Sequence, residues 1–321
     1  MNITEDSVKE SLSEMDIEIS EIEEIKDGSD TLFCVKTAKE NLIAKFRTYS
    51  SLEKSWFEKE PLMLEKISGK TSLPVPNVTF YRISGEKPFF VMTELPGAPF
   101  SDASDELGEE EVQKLIKDLG RSLAIIHSTD LPVIHEFGWL VNRNGSVHLR
   151  EEENWRKMFE SMMEYRLDSL EDTVFQAYCG EVREFVEQHL ELLEIVDKPS
   201  LIHDDFRPGN ILVDKDEVSG ILDWARASAA DPEYDLINSI YHFSEEIDIE
   251  EDLIEKKFLS GYTEIRSLSE NFESKKKLYM INAITGKMTG FATFWGENYS
   301  EEKQKEIEKG LVEDLEKILR D

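Results

Sequence analysis

Between Leu201 and Leu236 the chain reads LIHDDFRPGNILVDKDEVSGILDWARASAADPEYDL, and its polar side chains have types and spacings that suit one chemistry. His203, Asp205 and Asn210 form H-x-D-x-x-x-x-N, and Asp223 follows Asn210 by thirteen positions, beyond a turn. Transfer of a phosphoryl group needs a carboxylate to accept the proton of the attacking hydroxyl, and oxygen ligands to hold Mg2+ on the phosphates. Magnesium keeps most of its waters, so two protein ligands plus phosphate oxygens suffice. Asn210 and Asp223 fit that metal role, and Asp205 fits the base. Aspartates before a strand often form Asx turns, and H-D-D alone would carry little weight. Three ordered parts at these separations outweigh that account.

The elements that must position these groups change character along the chain. Val8, Leu12 and Met15 space a short amphipathic helix. Strand-like runs follow at Ile22 to Ile25, Leu32 to Val35 and Leu42 to Phe46, separated by Asp27-Gly28-Ser29-Asp30 and Lys39-Glu40-Asn41. A helical stretch through Leu52, Trp56, Leu64 and Ile67 is expected to break near Pro61. Further strands are expected at Val78 to Tyr81 and Phe89 to Met92, before Pro96-Gly97. Beyond Gly97 the period becomes helical: Val112, Leu115, Ile116, Leu119, Leu123 and Ile126 mark one helix, and residues 150–189 and 248–321 read as mostly helix. Short strands interrupt at Ile211 to Val213 and Gly220 to Leu222. A cleft at the joint near Leu95 to Gly97 is the default ligand site.

Composition narrows the partners. The 69 acidic and 37 basic residues leave a net charge of −32, spread along the whole length, which reads first as a solvated surface. Such a balance argues against nucleic acid and anionic membranes as partners. No long apolar run and no leader-like start are present, and the two cysteines, Cys34 and Cys179, make no disulfide framework; a cytoplasmic protein is expected.

The spacing of five between Asp205 and Asn210 matches the catalytic loop of protein kinases. The chain resembles the aminoglycoside phosphotransferase and choline-kinase-like family of small-molecule kinases. Its loop commonly reads H-G-D-x-x-P-G-N, followed by I-D-W and G-D-P-x-x-D-L. Here those segments are His203-Asp204-Asp205-Phe206-Arg207-Pro208-Gly209-Asn210, Leu222-Asp223-Trp224 and Ala230-Asp231-Pro232-Glu233-Tyr234-Asp235-Leu236. The likeness spans roughly residues 20 to 320, with this segment its specific part. It implies an α+β, bilobal protein-kinase-like fold: a small N-terminal antiparallel β-sheet lobe with a helix (residues 1–95) and a larger, mainly helical lobe (96–321). One departure is Asp204, where the family usually has Gly. Two adjacent carboxylates are thus candidate bases, and spacing to Asn210 favours Asp205.

The resemblance also implies a nucleotide site in the first lobe. Lys45, charged amid an apolar strand, would pair with the α/β-phosphates and a helix glutamate rather than snorkel to solvent. Glu60 fits the glutamate, with Glu58 and Glu65 as alternatives. Ser29, in Gly28-Ser29-Asp30, sits where kinases cover the phosphates. Phe90 to Gly97 resembles the interlobe hinge, with the Thr93 carbonyl and Leu95 amide facing the base and Met92 behind it. In the catalytic segment His203 either transfers a proton or, as its setting favours, braces the loop through backbone. Asp235 looks like a buttress of that loop. Arg207 either steadies the transferring group or makes a surface salt bridge.

Only eight positions separate Asp223 from Asp231, which leaves no room for the activation segment with which protein kinases bind peptides. A small hydroxylated acceptor is therefore expected, with ATP (or GTP) as donor and Mg2+. Glu151 to Glu153, Glu245-Glu246, Trp155, Tyr241 and Trp295 are candidates to line a site for an amine-bearing acceptor, against the plainer fate of helix surface and core. Two classes of function are carried: an active small-molecule kinase, and a nucleotide-binding regulatory homologue without catalysis. A metal hydrolase built on His203, Asp204 and Asp205 fits poorly, with six histidines in all and an asparagine at the site.

Overall fold

Val8 and Leu12, one helical turn apart, lay the apolar side of α1 (Glu5–Leu12) on a sheet, and Thr4 caps the helix by accepting from the Ser7 N–H. The computed structural model describes residues 3–25, 30–47, 54–85 and 87–320. The sheet comprises β1 (Ile19–Ile25), β2 (Thr31–Thr37), β3 (Asn41–Phe46), β4 (Val78–Arg82) and β5 (Phe89–Thr93), antiparallel in the order β1-β2-β3-β5-β4. Side chains alternate across a strand. In β3 this sends Leu42, Ala44 and Phe46 into the core under α1 and leaves Lys45 on the opposite side.

That opposite side meets α2 (Lys54–Ser68), which runs straight through Pro61. The expected break is absent because packing outweighs it. A proline inside a helix costs about 3 kcal/mol, whereas Phe57, Leu62, Met63, Leu64 and Ile67 are all buried, each stabilising by about 1.5–3 kcal/mol. These side chains belong to the large core of the helical region, not to the smaller core beneath α1.

After the sheet come β6 (Ala98–Pro99), α3 (Phe100–Ala103) and α4 (Glu109–His127), the helix its apolar spacing marks. Residues 150–189 are mostly helix, as expected, and a hairpin precedes their helices. β7 (Gly138–Arg143) and β8 (Ser146–Glu151) form a hairpin closed by Asn144 and Gly145, both at positive φ (54° and 79°), before α5 (Trp155–Ser169) and α6 (Gln176–His189). The catalytic segment supplies β9 (Ser200–Ile202), β10 (Ile211–Asp214), β11 (Glu217–Ile221) and β12 (Ser228–Ala230), then α7 (Pro232–Glu246). α8 (Glu251–Tyr262), α9 (Phe272–Gly290) and α10 (Glu301–Arg320) complete the chain. The order β11-β10-β6 makes one small sheet and β8-β7-β12-β9 another. The whole is the expected mixed α and β fold, an N-terminal antiparallel sheet followed by a larger helical region. Among the described residues no helix is long and apolar enough to cross a membrane.

The segment joining the two parts is pinned by Gly97 at φ +103°, where an added Cβ would lie 2.3 Å from the Val213 carbonyl oxygen of β10. Ser219 Oγ donates 2.6 Å to the Pro96 carbonyl alongside. Gly97→Ala meets both a left-handed backbone and a backbone clash, so it should cost about 2 kcal/mol or more. Urea unfolding checks this by a lower midpoint.

Candidate active site

Pairing of Ile211 with Ile221 extends by one more bond, the Leu222 N–H donating 2.9 Å to the Asn210 carbonyl. Asn210, before β10, and Asp223, after β11, therefore emerge at the same end of this ladder. Asn210 is bound from behind: its N–H donates to the Arg207 carbonyl, and its Nδ2 donates to both the backbone oxygen (2.9 Å) and Oδ2 (2.7 Å) of Asp205. That fixes the Asp205 carboxylate and turns the Asn210 amide oxygen to the other side. Burial opposes the charge on Asp205, but Arg207 and then Arg226 outweigh it and hold its carboxyl below the usual range. The Arg207 Nε lies 3.6 Å from Asp205 Oδ1.

Asp223 has the left-handed backbone of φ 58° and caps the turn Trp224–Arg226, accepting from the Ala225 N–H. Its Oδ1 lies 3.8 Å from Lys45 Nζ. Lys45, 8% exposed, is bound 2.7 Å from Glu60 Oε2, with Asp30 Oδ2 at 3.5 Å. Among the three glutamates considered for this pair, Glu60 is the one at hydrogen-bond distance. Burial works against the Lys45 charge, yet Asp223, Glu60 and Asp30 more than offset it and raise its pKa. Burial likewise pushes Glu60 up to about 7, against the pull of Lys45. The sheet, α2 and the end of the β10–β11 ladder thus converge on Lys45.

Asp204 is committed to structural partners. Its carboxylate accepts from the Tyr234 hydroxyl (3.0 Å) and from Arg226 Nη2 (3.3 Å) and is nearly buried. Its φ of 61° explains the family's preference for Gly at this position, since Asp is among the few other residues that tolerate it. His203 is fully buried, its Nε2 3.0 Å from the Leu222 carbonyl and its ring 4.7 Å from that of Trp224. It braces the loop. Asp235 buttresses the same loop from α7, accepting from the backbone N–H of His203 (2.8 Å) and of Asp204 (2.9 Å).

Burial pushes the His127 imidazole down. A neutral ring whose Nε2–H donates 3.1 Å to Asp235 Oδ2 and whose Nδ1 accepts from the Tyr262 hydroxyl at 2.9 Å fits the geometry. Burial opposes the Asp235 charge, but the His127 hydrogen bond and the neighbouring donors outweigh it and hold its carboxyl low. A depressed carboxyl contributes stability that is present above the unfolded value, about 3.9, and lost as pH falls through the folded one. Asp235→Asn should therefore lower stability at neutral pH and flatten the acid limb of a melting-temperature profile below about pH 4. An acid limb as steep as the parent's would contradict this.

Other expected positions spread out. Met92, Thr93 and Leu95 are part-buried at the joint, where the Thr93 N–H bonds the Asn77 carbonyl and Asn41 holds Glu94. Ser29 lies outside the described residues. Trp155 is core, its Nε1 donating 2.8 Å to the Tyr279 hydroxyl, and so lines no open site. Glu151 ends β8 and is exposed like Glu153, with Glu152 part-buried between them, and Trp295 packs on Phe291 beyond α9. Tyr241 and Glu245 line a cavity of about 360 Å³ between α7, α8, α9 and α10. Their neighbours His242 and Glu246 lie in the fields of Asp205 and Arg207. Arg226 and Tyr234 went unnoticed in the sequence; the only hint was that an aspartate replacing the family's glycine needs partners. Among the described residues no group of three or more His, Cys, Asp or Glu side chains is arranged to hold a metal.

The sequence model described as the phosphotransferase enzyme family matches residues 21–268. A search of curated proteins found no match. Among solved structures, a thermostable mutant of aminoglycoside phosphotransferase APH(4)-Ia in ternary complex with AMP-PNP and hygromycin B superposes with a TM-score of 0.73 at 16% identity, over 98% of each chain. The gentamicin complex of APH(2")-IIa gives 0.66 at 15%, over 100% of this chain and 97% of that one. A fructosamine-3-kinase homologue from Haemophilus somnus gives 0.64 at 15%, over 98% and 95%. At such identities these likenesses establish the kinase-like fold.

Proposed function

The chain belongs to the phosphotransferase enzyme family, and we propose that it transfers the γ-phosphoryl group of ATP to a hydroxyl of a small molecule. The observation that carries this is the convergence just described: Asp205 oriented by Asn210, and Asp223 beside the Lys45–Glu60 pair, at one end of one ladder. Asp205 accepts the acceptor's proton, Arg207 steadies the moving charge, and Lys45 holds phosphate oxygens. Asn210 and Asp223 offer an amide and a carboxylate oxygen, a hard donor set that fits Mg2+. The ion would supply neutralisation of phosphate charge. Residues 1–95 and 96–321 serve as the two lobes, with Ser29, Met92, Thr93 and Leu95 toward the nucleotide. Two free, buried cysteines accord with a cytoplasmic setting.

ATP as donor draws support from the AMP-PNP held by a similar structure. The short stretch from Asp223 to Asp231, filled by a tight turn and β12, favours a small acceptor over a peptide. An amine-bearing acceptor in the cavity beside Tyr241 and Glu245 would meet a ring and carboxylates, alongside Lys276, Lys277 and Lys317. The test is incubation with ATP, or GTP in parallel, Mg2+ and a panel of aminoglycosides, macrolides, choline, homoserine and other alcohols, followed by phosphorus NMR. A phosphate ester is the expected product. Magnesium-dependent nucleotide binding without any ester would favour the regulatory homologue, and absence of both would remove the reading.

A further inference from the structure

Lys59 has no part in the roles proposed above, yet it is one of the most deeply buried side chains, 1% exposed. It precedes Glu60 on α2, and one helical step turns it well away from Lys45. Its Nζ donates 2.7 Å to the carbonyl of Ala227, four residues beyond Asp223. Burial pushes the Lys59 ammonium down to about 7, against the support of the Asp204 charge. An apolar side chain of similar volume would fill such a place at less cost. One turn earlier on the same side of α2, the Trp56 ring lies 5.7 Å from the Arg226 guanidinium, and that guanidinium reaches Asp204. Two side chains at i and i+3 of one helix thus grip residues 226 and 227. Between that grip and β11 stands Asp223 in a left-handed backbone, a conformation that persists only where its surroundings impose it.

We propose that Lys59, with Trp56, is a positioning residue: it straps the Ala227 carbonyl to α2 and so holds the Asp223 turn in the shape that presents its carboxylate to a metal-bound nucleotide. The proposal rests on the reading of Asp223 given above and extends it to residues that touch neither metal nor nucleotide.

The probe is AMP-PNP, titrated calorimetrically with and without Mg2+ into the full chain. The quantity read is the gain in affinity that magnesium brings. K59M should reduce that gain about 10- to 100-fold, the usual effect of removing a support behind a metal ligand, while magnesium-free affinity stays within about twofold. K59Q, which keeps an N–H donor, should recover most of the gain. A K59M protein with the parent's gain, a parallel fall in both affinities, or K59Q as weak as K59M would each overturn the proposal. Should K59M fail to fold, W56L at its half-buried position decides: a fall of about threefold or more supports the strap, and an unchanged gain overturns it. A parent protein that gains nothing from magnesium would overturn the metal role of Asp223 and the strap together; a parent gain that K59M retains overturns the strap alone.

Discussion

Asp205→Asn should lower phosphoryl transfer to any accepted alcohol by about 10²- to 10⁴-fold, the range of a lost general base. Nucleotide affinity should stay close to the parent's, because Asp205 is tied to Asn210 and Arg207 and has no contact with the Lys45 cluster. The substitution keeps side-chain shape, so a loss measures proton acceptance and not repacking. The same carboxylate sets the pH profile. Its pKa is held low, so the ionised, accepting form persists through neutral pH, and rate should fall only on acidification through and below the ordinary carboxylate range. Initial rates with one phosphorylated alcohol, from about pH 3 to about pH 8, check both statements. A variant matching its parent, or an acid limb centred near pH 6.5, would refute Asp205 as the base.

Asp223→Asn should abolish most of the benefit of magnesium to nucleotide binding, weakening it about a hundredfold, or about 2.7 kcal/mol. Asparagine is chosen because it tolerates the left-handed backbone at φ 58° almost as well as aspartate. Alanine would add strain and confuse fold with ligation. The variant removes one of the carboxylates that keep Lys45 charged, leaving Glu60 and Asp30, so the fold should survive with a melting temperature within a few degrees of the parent. Calorimetric titration of ATP with and without magnesium reads the effect. Equal magnesium dependence in parent and variant would deny Asp223 its role.

The parts of this fold that could be read from sequence were those written locally. α4 announces itself by apolar spacing, and residues 201–236 by ordered motifs whose members the ladder of β10 and β11 then brings to one end. Lys45 stood out as a charge in an apolar strand, and its pairing with Glu60 follows from strand alternation facing it toward α2. What escaped depends on partners distant in the chain. Pro61 looks like a helix end until the core around Phe57 and Leu62 is known. The β7–β8 hairpin carries a local sign in Asn144-Gly145, but its place in a sheet rests on β12, far along the chain. Asp204 and Lys59 acquire meaning only through Arg226, Tyr234 and Ala227, none of which is adjacent to them in sequence.

One consequence of α2 concerns control. Its apolar side chains are shared with the helical region and not with the core under α1, so tilting it outward would tear open the largest buried cluster in the molecule. Phe57, Leu62, Met63, Leu64 and Ile67 would all lose their neighbours in such a movement. Swinging α2 is therefore a costly way to regulate a protein built on this frame.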